Sequence, residues 1–169
     1  MCIRDRGMSG IALFLLKKGL SVSGSDITKN DRLQEIKKNG GIIFESQQPE
    51  NIGLIQKKFH LKKIIIVVSS AINFKNKELK FCIDQKLVIK HRSEILSLIM
   101  KSFKSIAVAG SHGKTSTSTL LTTLLDLCTN DTSSIIGGIL PKYESNTIIK
   151  NSNYLIAEID ESDGTISTY

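Results

Sequence analysis

Apolar and polar positions along this chain switch between a period near two and a period near four, and each switch marks an element. Ile64-Ile65-Ile66-Val67-Val68 is an unbroken β-branched run, which predicts a parallel strand covered on both faces. Shorter extended runs fall over 20–25, 42–44, 87–90, 105–109 and 154–159. Helical patterns fall between them over 11–18, 32–38, 75–85, 93–100 and 117–128. The last of these carries Leu120, Leu121, Leu124, Leu125 and Leu127 at helical spacing. Gly19 stops the first helix, Asn30-Asp31 cap the second and Gly40-Gly41 close it, while Gln47 to Asn51 reads as a loop. Strands that alternate with helices predict an α/β fold built on a doubly wound parallel sheet.

The pattern ends on a helix near Lys101 to Lys104 and restarts with a strand. That seam predicts one domain over 1–101 and the beginning of a second over 102–169, whose few elements are too little to close an independent core.

The densest chemistry lies just past the seam. Ser105 to Ala109 feeds Gly110-Ser111-His112-Gly113-Lys114-Thr115-Ser116, an apolar strand running into a glycine-bracketed turn. Glycines let successive backbone N–H groups converge on phosphate oxygens where a Cβ would intrude. Lys114 would then supply charge to the β- and γ-phosphates and Thr115 a hydroxyl to Mg²⁺, with the following helix aiming its positive end at the same anion. The spacing is shorter than the usual G-x-x-x-x-G-K-[ST], since Val108 stands where the first glycine would fall. The competing reading is an ordinary strand-turn-helix corner with a surface lysine.

Two further clusters add to this. Gly7-Met8-Ser9-Gly10 opens into the first helix with Asp26 at the end of the next strand, which looks like the tail of a dinucleotide-type fingerprint whose acid would meet a ribose hydroxyl. Ala157-Glu158-Ile159-Asp160-Glu161-Ser162-Asp163-Gly164 is a burst of carboxylates at a strand's end. Alternation puts Glu158 and Asp160 on one face, away from Ile159. Glu158 could serve as the metal ligand beside a phosphate loop, or the cluster could be an acidic turn capping a helix with Ser162 or Asp163.

Composition narrows the classes. The 169 residues are 40% hydrophobic, enough for one substantial core, and the net charge of +7 comes mostly from scattered lysine pairs such as Lys17-Lys18 and Lys62-Lys63. Aromatics are only 5%, so the stacking platform of a nucleic-acid binder is missing, and no nucleic-acid partner is expected. Cys82 and Cys128 sit in apolar helical contexts and are expected to be reduced, buried thiols, while Cys2 lies in the charged start of the chain. His60, His91 and His112 form no metal-ligand spacing with them. Neither a membrane-length apolar run nor a signal peptide is evident, so no membrane partner and a cytoplasmic location are expected.

Taken in order, Gly7 to Ala12, Val22 to Asp26, Ser69-Ser70-Ala71-Ile72, Arg92-Ser93-Glu94, Ala109 to Thr115, Ile135 to Gly138 and Ala157 to Gly164 resemble the Mur ligases of peptidoglycan synthesis. The resemblance implies a Rossmann-like, UDP-sugar-binding first domain followed by the start of a P-loop-type ATP-binding central domain. It implies an ATP- and Mg²⁺-dependent enzyme that adds L-alanine to UDP-N-acetylmuramate through an acyl phosphate. Gly110, Ser111, His112, Gly113, Lys114, Thr115 and Ser116 would hold ATP, with Lys114, Glu158 and His112 at the reacting phosphate and Thr115 and Glu158 on the metal. Gly7, Met8, Ser9, Gly10, Asp26, Ser70 and Ala71 would face the UDP-sugar.

Two departures from the family pattern stand out. Met1 to Arg6 take the place of a first strand and a fuller glycine loop, and the sequence stops before the rest of the central domain, so these residues alone are expected to be inactive. The competing functions are a recycling ligase that attaches a ready-made peptide to the same UDP-sugar, and a non-catalytic nucleotide-binding module.

Overall fold

A computed structural model of the chain describes residues 6–27, 31–59, 64–160 and Tyr169. It divides into two compact units, Met1–Arg92 and Ser93–Tyr169.

The first unit contains α1 (Arg6–Lys17), β1 (Ser23–Ser25), α2 (Asp31–Lys38), β2 (Ile42–Phe44), α3 (Pro49–Phe59), β3 (Ile65–Val68), α4 (Lys77–Asp84) and β4 (Val88–His91). β1 pairs in parallel with β2, and β3 with β4, with Val68 opposite His91. Among the described residues these remain two separate two-stranded ladders. Ala12 and Leu13 of α1 form a core with Val22, Leu33 and Ile36. α4 is capped by Asn76, whose side chain accepts from the Leu79 N–H at 3.0 Å.

The second unit contains nearly all of α5 (Arg92–Met100), then β5 (Lys104–Val108), α6 (Lys114–Thr129), β6 (Ser133–Leu140), a 3-10 turn (Pro141–Tyr143), β7 (Ser145–Ile148) and β8 (Tyr154–Glu158). The sheet order is β5-β8-β6-β7. β8 runs parallel to both neighbours, and β7 is antiparallel to β6. β8 is the last strand in sequence but is inserted between β5 and β6, and its Leu155, Ile156 and Ala157 are fully buried. Its register pairs Val108 with Glu158, so the loop after β5 and the acidic end of β8 leave the sheet side by side. Ligands of open parallel sheets bind at such carboxyl ends.

Several elements differ from the sequence pattern. Gly7 to Gly10 lie inside α1 rather than in a turn before it, because Met8, Ile11, Ala12 and Leu15 already follow helical spacing. The expected loop at Gln47 to Asn51 gives way to α3 at Pro49, a residue suited to a first helical turn. β3 is not covered on both faces: only Val67 is buried, and Ile65 is 58% exposed, since among the described residues β3 pairs with β4 alone. Cys128 is exposed near the end of α6, whereas Cys82 is buried, and that burial pushes its thiol pKa up, aided by the Glu78 charge. The Asn30 cap, His60 and residues 161–168 lie outside the described residues.

The largest difference concerns α6. Its leucine stripe does not make the core; Leu120, Leu124 and Leu127 are exposed, and Ser118, Thr122 and Asp126 are buried instead. Ser118 satisfies its hydroxyl within the helix by donating to the Lys114 carbonyl at 2.7 Å. Asp126, buried near the last turn, accepts from Lys150 and from Tyr143, and from Lys142 at 3.3 Å. Lys150 also donates to the Asn130 side chain at 2.8 Å. This knot ties the end of α6 to the turn between β6 and β7 and to Lys150 just past β7. The Lys150 hydrogen bond holds the Asp126 carboxyl below the usual carboxylate range against the opposing effect of burial, and Lys142 adds to the lowering.

A depressed carboxyl pKa stabilises the fold above the unfolded aspartate value of about 3.9 and loses that contribution as pH falls below it. Asp126→Asn should cost about 2–3 kcal/mol at neutral pH, with part of the figure discounted because Lys142 is largely exposed. It should also flatten the loss of stability on acidification below about pH 4. Urea unfolding of both proteins across pH 3 to 7 measures both effects; a parallel pH dependence would remove Asp126 from the acid response.

Candidate functional site: the loop after β5 and the end of β8

The strand-loop-helix unit predicted from Ser105 to Ser116 is present, running from β5 through Gly110–Gly113 into α6. Two glycines take backbone angles that disfavour a side chain, Gly110 at φ +144° and Gly113 at φ +76°. Gly113 is the N-cap of α6, and no side chain caps that end. The first bond of the helix is from the Thr117 N–H to the Gly113 carbonyl at 2.9 Å, so the amides of Lys114, Thr115 and Ser116 precede the helical ladder. A sixteen-residue helix that begins on a left-handed glycine presents unladdered amides and the positive end of its dipole to the loop.

Lys114 lies over that loop, its Nζ donating to the Gly110 carbonyl at 2.7 Å. Thr115, one residue on, turns toward β8. Its hydroxyl stands 3.1 Å from each oxygen of the Glu158 carboxylate. Glu158 Oε2 also accepts from the Gly137 N–H of β6 at 2.8 Å. A carboxylate and a hydroxyl, 43 residues apart in sequence, are thus brought to one point beside the uncapped helix end. Their oxygens suit a small hard cation such as Mg²⁺, which takes one or two protein ligands and completes its shell with phosphate and water. Among the described residues no group of three or more His, Cys, Asp or Glu side chains could hold a metal alone.

The remaining predicted residues are placed as follows. Ser111, His112 and Ser116 are exposed on the loop and the first turn of α6. Asp160 is half-buried just past β8. In the first unit, Met8, Ser9 and Gly10 are buried in α1 and Gly7 is half-buried. Asp26 is buried just after β1, and its N–H donates to the Phe44 carbonyl at 2.9 Å. Ser70 and Ala71 are exposed after β3.

Several polar contacts were not legible in the sequence. Ser70 Oγ is 3.1 Å from His91 Nε2, a pairing that the parallel register of β3 with β4 creates. Glu78 accepts from Ser25 and, at 3.0 Å, from the Asn51 side chain, joining β1, α3 and α4. Adjacent glycines inside a strand, Gly137-Gly138, were the one available sign of a close approach in β6.

The fold and site define an α/β protein whose second unit carries a P-loop-like strand-loop-helix with an acidic strand end beside it. The sequence model described as Mur ligase family, catalytic domain, matches residues 1–104, and the chain belongs to the Mur ligase family. It is 57% identical over 163 residues to a UDP-N-acetylmuramate--L-alanine ligase of Prochlorococcus marinus subsp. pastoris, an alignment covering 96% of this chain and 34% of that protein. A protein of the same name from Lawsonia intracellularis is 39% identical over 96% of this chain and 34% of its own length. The chain therefore spans about a third of the length of these curated relatives.

Among solved structures, a UDP-N-acetylmuramate-alanine ligase of Thermotoga maritima has a TM-score of 0.86 at 24% identity, covering 99% of this chain and 38% of that one. The UDP-N-acetylmuramate:L-alanyl-gamma-D-glutamyl-meso-diaminopimelate ligase from Neisseria meningitides has a TM-score of 0.83 at 19% identity, covering 95% and 51%. At these identities the two structures bear on the fold alone. Among the described residues no helix is long and apolar enough to cross a membrane.

The loop geometry can be tested directly. A Cβ at Gly113 would meet nothing within 4 Å, so Gly113→Ala introduces no clash, only the strain of φ +76°. The expected cost is about 1–2 kcal/mol in urea unfolding. An unchanged stability would show that the α6 cap relaxes to an ordinary backbone angle.

Proposed function

We propose that this chain supplies the UDP-sugar-binding domain, residues 1–101, and the first part of the ATP-binding domain, residues 102–169, of a ligase joining L-alanine to UDP-N-acetylmuramate. The observation that carries this reading is the meeting of Thr115 and Glu158 beside the uncapped start of α6. The names of relatives up to 57% identical support the choice of alanine as the amine.

In the proposed reaction the lactyl carboxylate of the UDP-sugar takes the γ-phosphoryl group of ATP, releasing ADP and forming an acyl phosphate. The alanine amine then attacks the acyl carbon, and the C–O bond to phosphate breaks as the amide forms. The chain's part is positioning and charge neutralisation. The amides between Gly110 and Ser116 would hold the phosphates, and Lys114 would move its ammonium from the Gly110 carbonyl to the transferring group. Thr115 and Glu158 would hold Mg²⁺, which supplies further positive charge to the phosphates. His112, exposed on the loop, would lie near the γ-phosphate.

In the first unit Gly7, Met8, Ser9, Gly10, Asp26, Ser70 and Ala71 would face the UDP-sugar. Because Met8 and Ser9 are buried, their contribution would come through backbone at the start of α1. The cytoplasm, where ATP and the UDP-sugar are available, is the compartment this reading requires.

The peptide-recycling reading shares the fold. Its support here is structural likeness at 19% and 24% identity, which carries no substrate information. The complete protein supplied with UDP-N-acetylmuramate, ATP and Mg²⁺ should release ADP only when L-alanine is added. Release with the tripeptide L-alanyl-γ-D-glutamyl-meso-diaminopimelate instead would select the recycling reaction. Lys114→Ala should lower kcat/KM by about 10²–10³-fold, the usual effect of removing one preorganised charge-stabilising donor. Undiminished turnover would dismiss Lys114 from the transition state.

A further inference from the structure

Gly137 and Gly138 stand in the middle of β6, a strand interior where glycine ordinarily weakens pairing. Neither is among the glycines with positive φ, so backbone conformation does not require glycine at either position. Space does. A Cβ built on Gly137 would fall 2.9 Å from Glu158 Oε1 and 3.1 Å from Oε2. A Cβ on Gly138 would fall 2.5 Å from Thr115 Cγ2. The ladder between β6 and β7 shifts register between Ile135 and Leu140, across both glycines. Such irregularities re-aim a strand locally and are frequent beside active sites. Here two successive positions each press on a different member of the Thr115–Glu158 pair.

We propose that Gly137 and Gly138 are positioning residues for the cation-binding oxygens: Gly137 fixes the Glu158 carboxylate through its N–H and its missing Cβ, and Gly138 leaves the room that Thr115 needs to point its hydroxyl at that carboxylate. The inference rests on the phosphate-and-metal reading of this site. Removing an outer group that orients a metal ligand costs about 10–100-fold in metal affinity. Either alanine substitution should therefore weaken the metal-dependent part of nucleotide binding and leave the Lys114 loop alone.

The test is calorimetric titration of the complete protein with a non-hydrolysable ATP analogue, in Mg²⁺ and in EDTA. The wild type should bind more tightly in Mg²⁺. Gly138→Ala should lose about tenfold or more of that Mg²⁺ enhancement while keeping its affinity in EDTA. Thr115→Ser deletes the Cγ2 that Gly138→Ala would strike and keeps the hydroxyl. The double variant Thr115→Ser/Gly138→Ala should therefore recover the enhancement seen with Thr115→Ser alone. Gly137→Ala should lose the enhancement too, but without rescue by Thr115→Ser, because its clash is with Glu158.

A merely structural role for the glycines would lower stability and leave the Mg²⁺ enhancement of the folded molecules intact, and that result overturns the inference. So does a double variant no closer to Thr115→Ser than Gly138→Ala is. If Gly138→Ala fails to fold, the double variant is read in its place, and its failure to fold as well also overturns the proposal. A wild type that binds the analogue equally in Mg²⁺ and EDTA removes the underlying reading itself, an outcome distinct from variants that retain a wild-type enhancement.

Discussion

The hydrogen bonds that converge on the Glu158 carboxylate organise the second unit of this chain. They exist because β8, last in sequence, is inserted between β5 and β6, which lets one side chain at its end meet the first turn of α6 and the middle of β6 together. A partly buried carboxylate must be satisfied by donors or neutralised. Thr115 and Gly137 provide the donors, and in doing so they fix the entry of α6 against the sheet. The same contacts leave a hydroxyl and a carboxylate together at the carboxyl end of the sheet, where the proposed function would hold phosphates. Structure and proposed chemistry thus draw on one arrangement.

α6 shows how such an arrangement shapes a whole element. Its sheet-facing side carries Ser118, Thr122 and Asp126 rather than leucine. Small hydroxyl side chains let a helix lie close to a sheet, and those that bond back to the preceding turn, as Ser118 does, carry their own satisfaction with them. At the far end, Asp126 gathers Lys142, Tyr143 and Lys150 into a charged knot that anchors the helix where the first-turn contacts no longer reach. The near end remains uncapped by any side chain, and its amides stay available. One end of the helix is thus fastened by charge, while the other carries no side-chain cap.

The first unit is held differently. Its polar contacts join strand ends to helices, as when Glu78 accepts from Ser25 and Asn51, and when Ser70 meets His91 across the β3–β4 pair. These lie at the carboxyl ends of β1, β3 and β4, the side of a parallel sheet on which ligands are bound.

The sequence by itself determined the alternation of strands and helices, the strand-loop-helix around Gly110 to Thr115, and the acidic strand end, because each is written in local periodicity or in short motifs of fixed spacing. It missed α3 and β7 and misplaced the buried face of α6, the covering of β3 and the burial of Cys128, since those depend on which neighbour an element finds and not on its own pattern. Tertiary structure alone decided that Gly137 donates to the Glu158 carboxylate, that Ser70 meets His91, and that Asp126 rather than the leucines faces inward. The physical reason is one of range: periodicity reports what a segment could bury. Only strand order and register fix which groups, far apart in sequence, come within hydrogen-bonding distance.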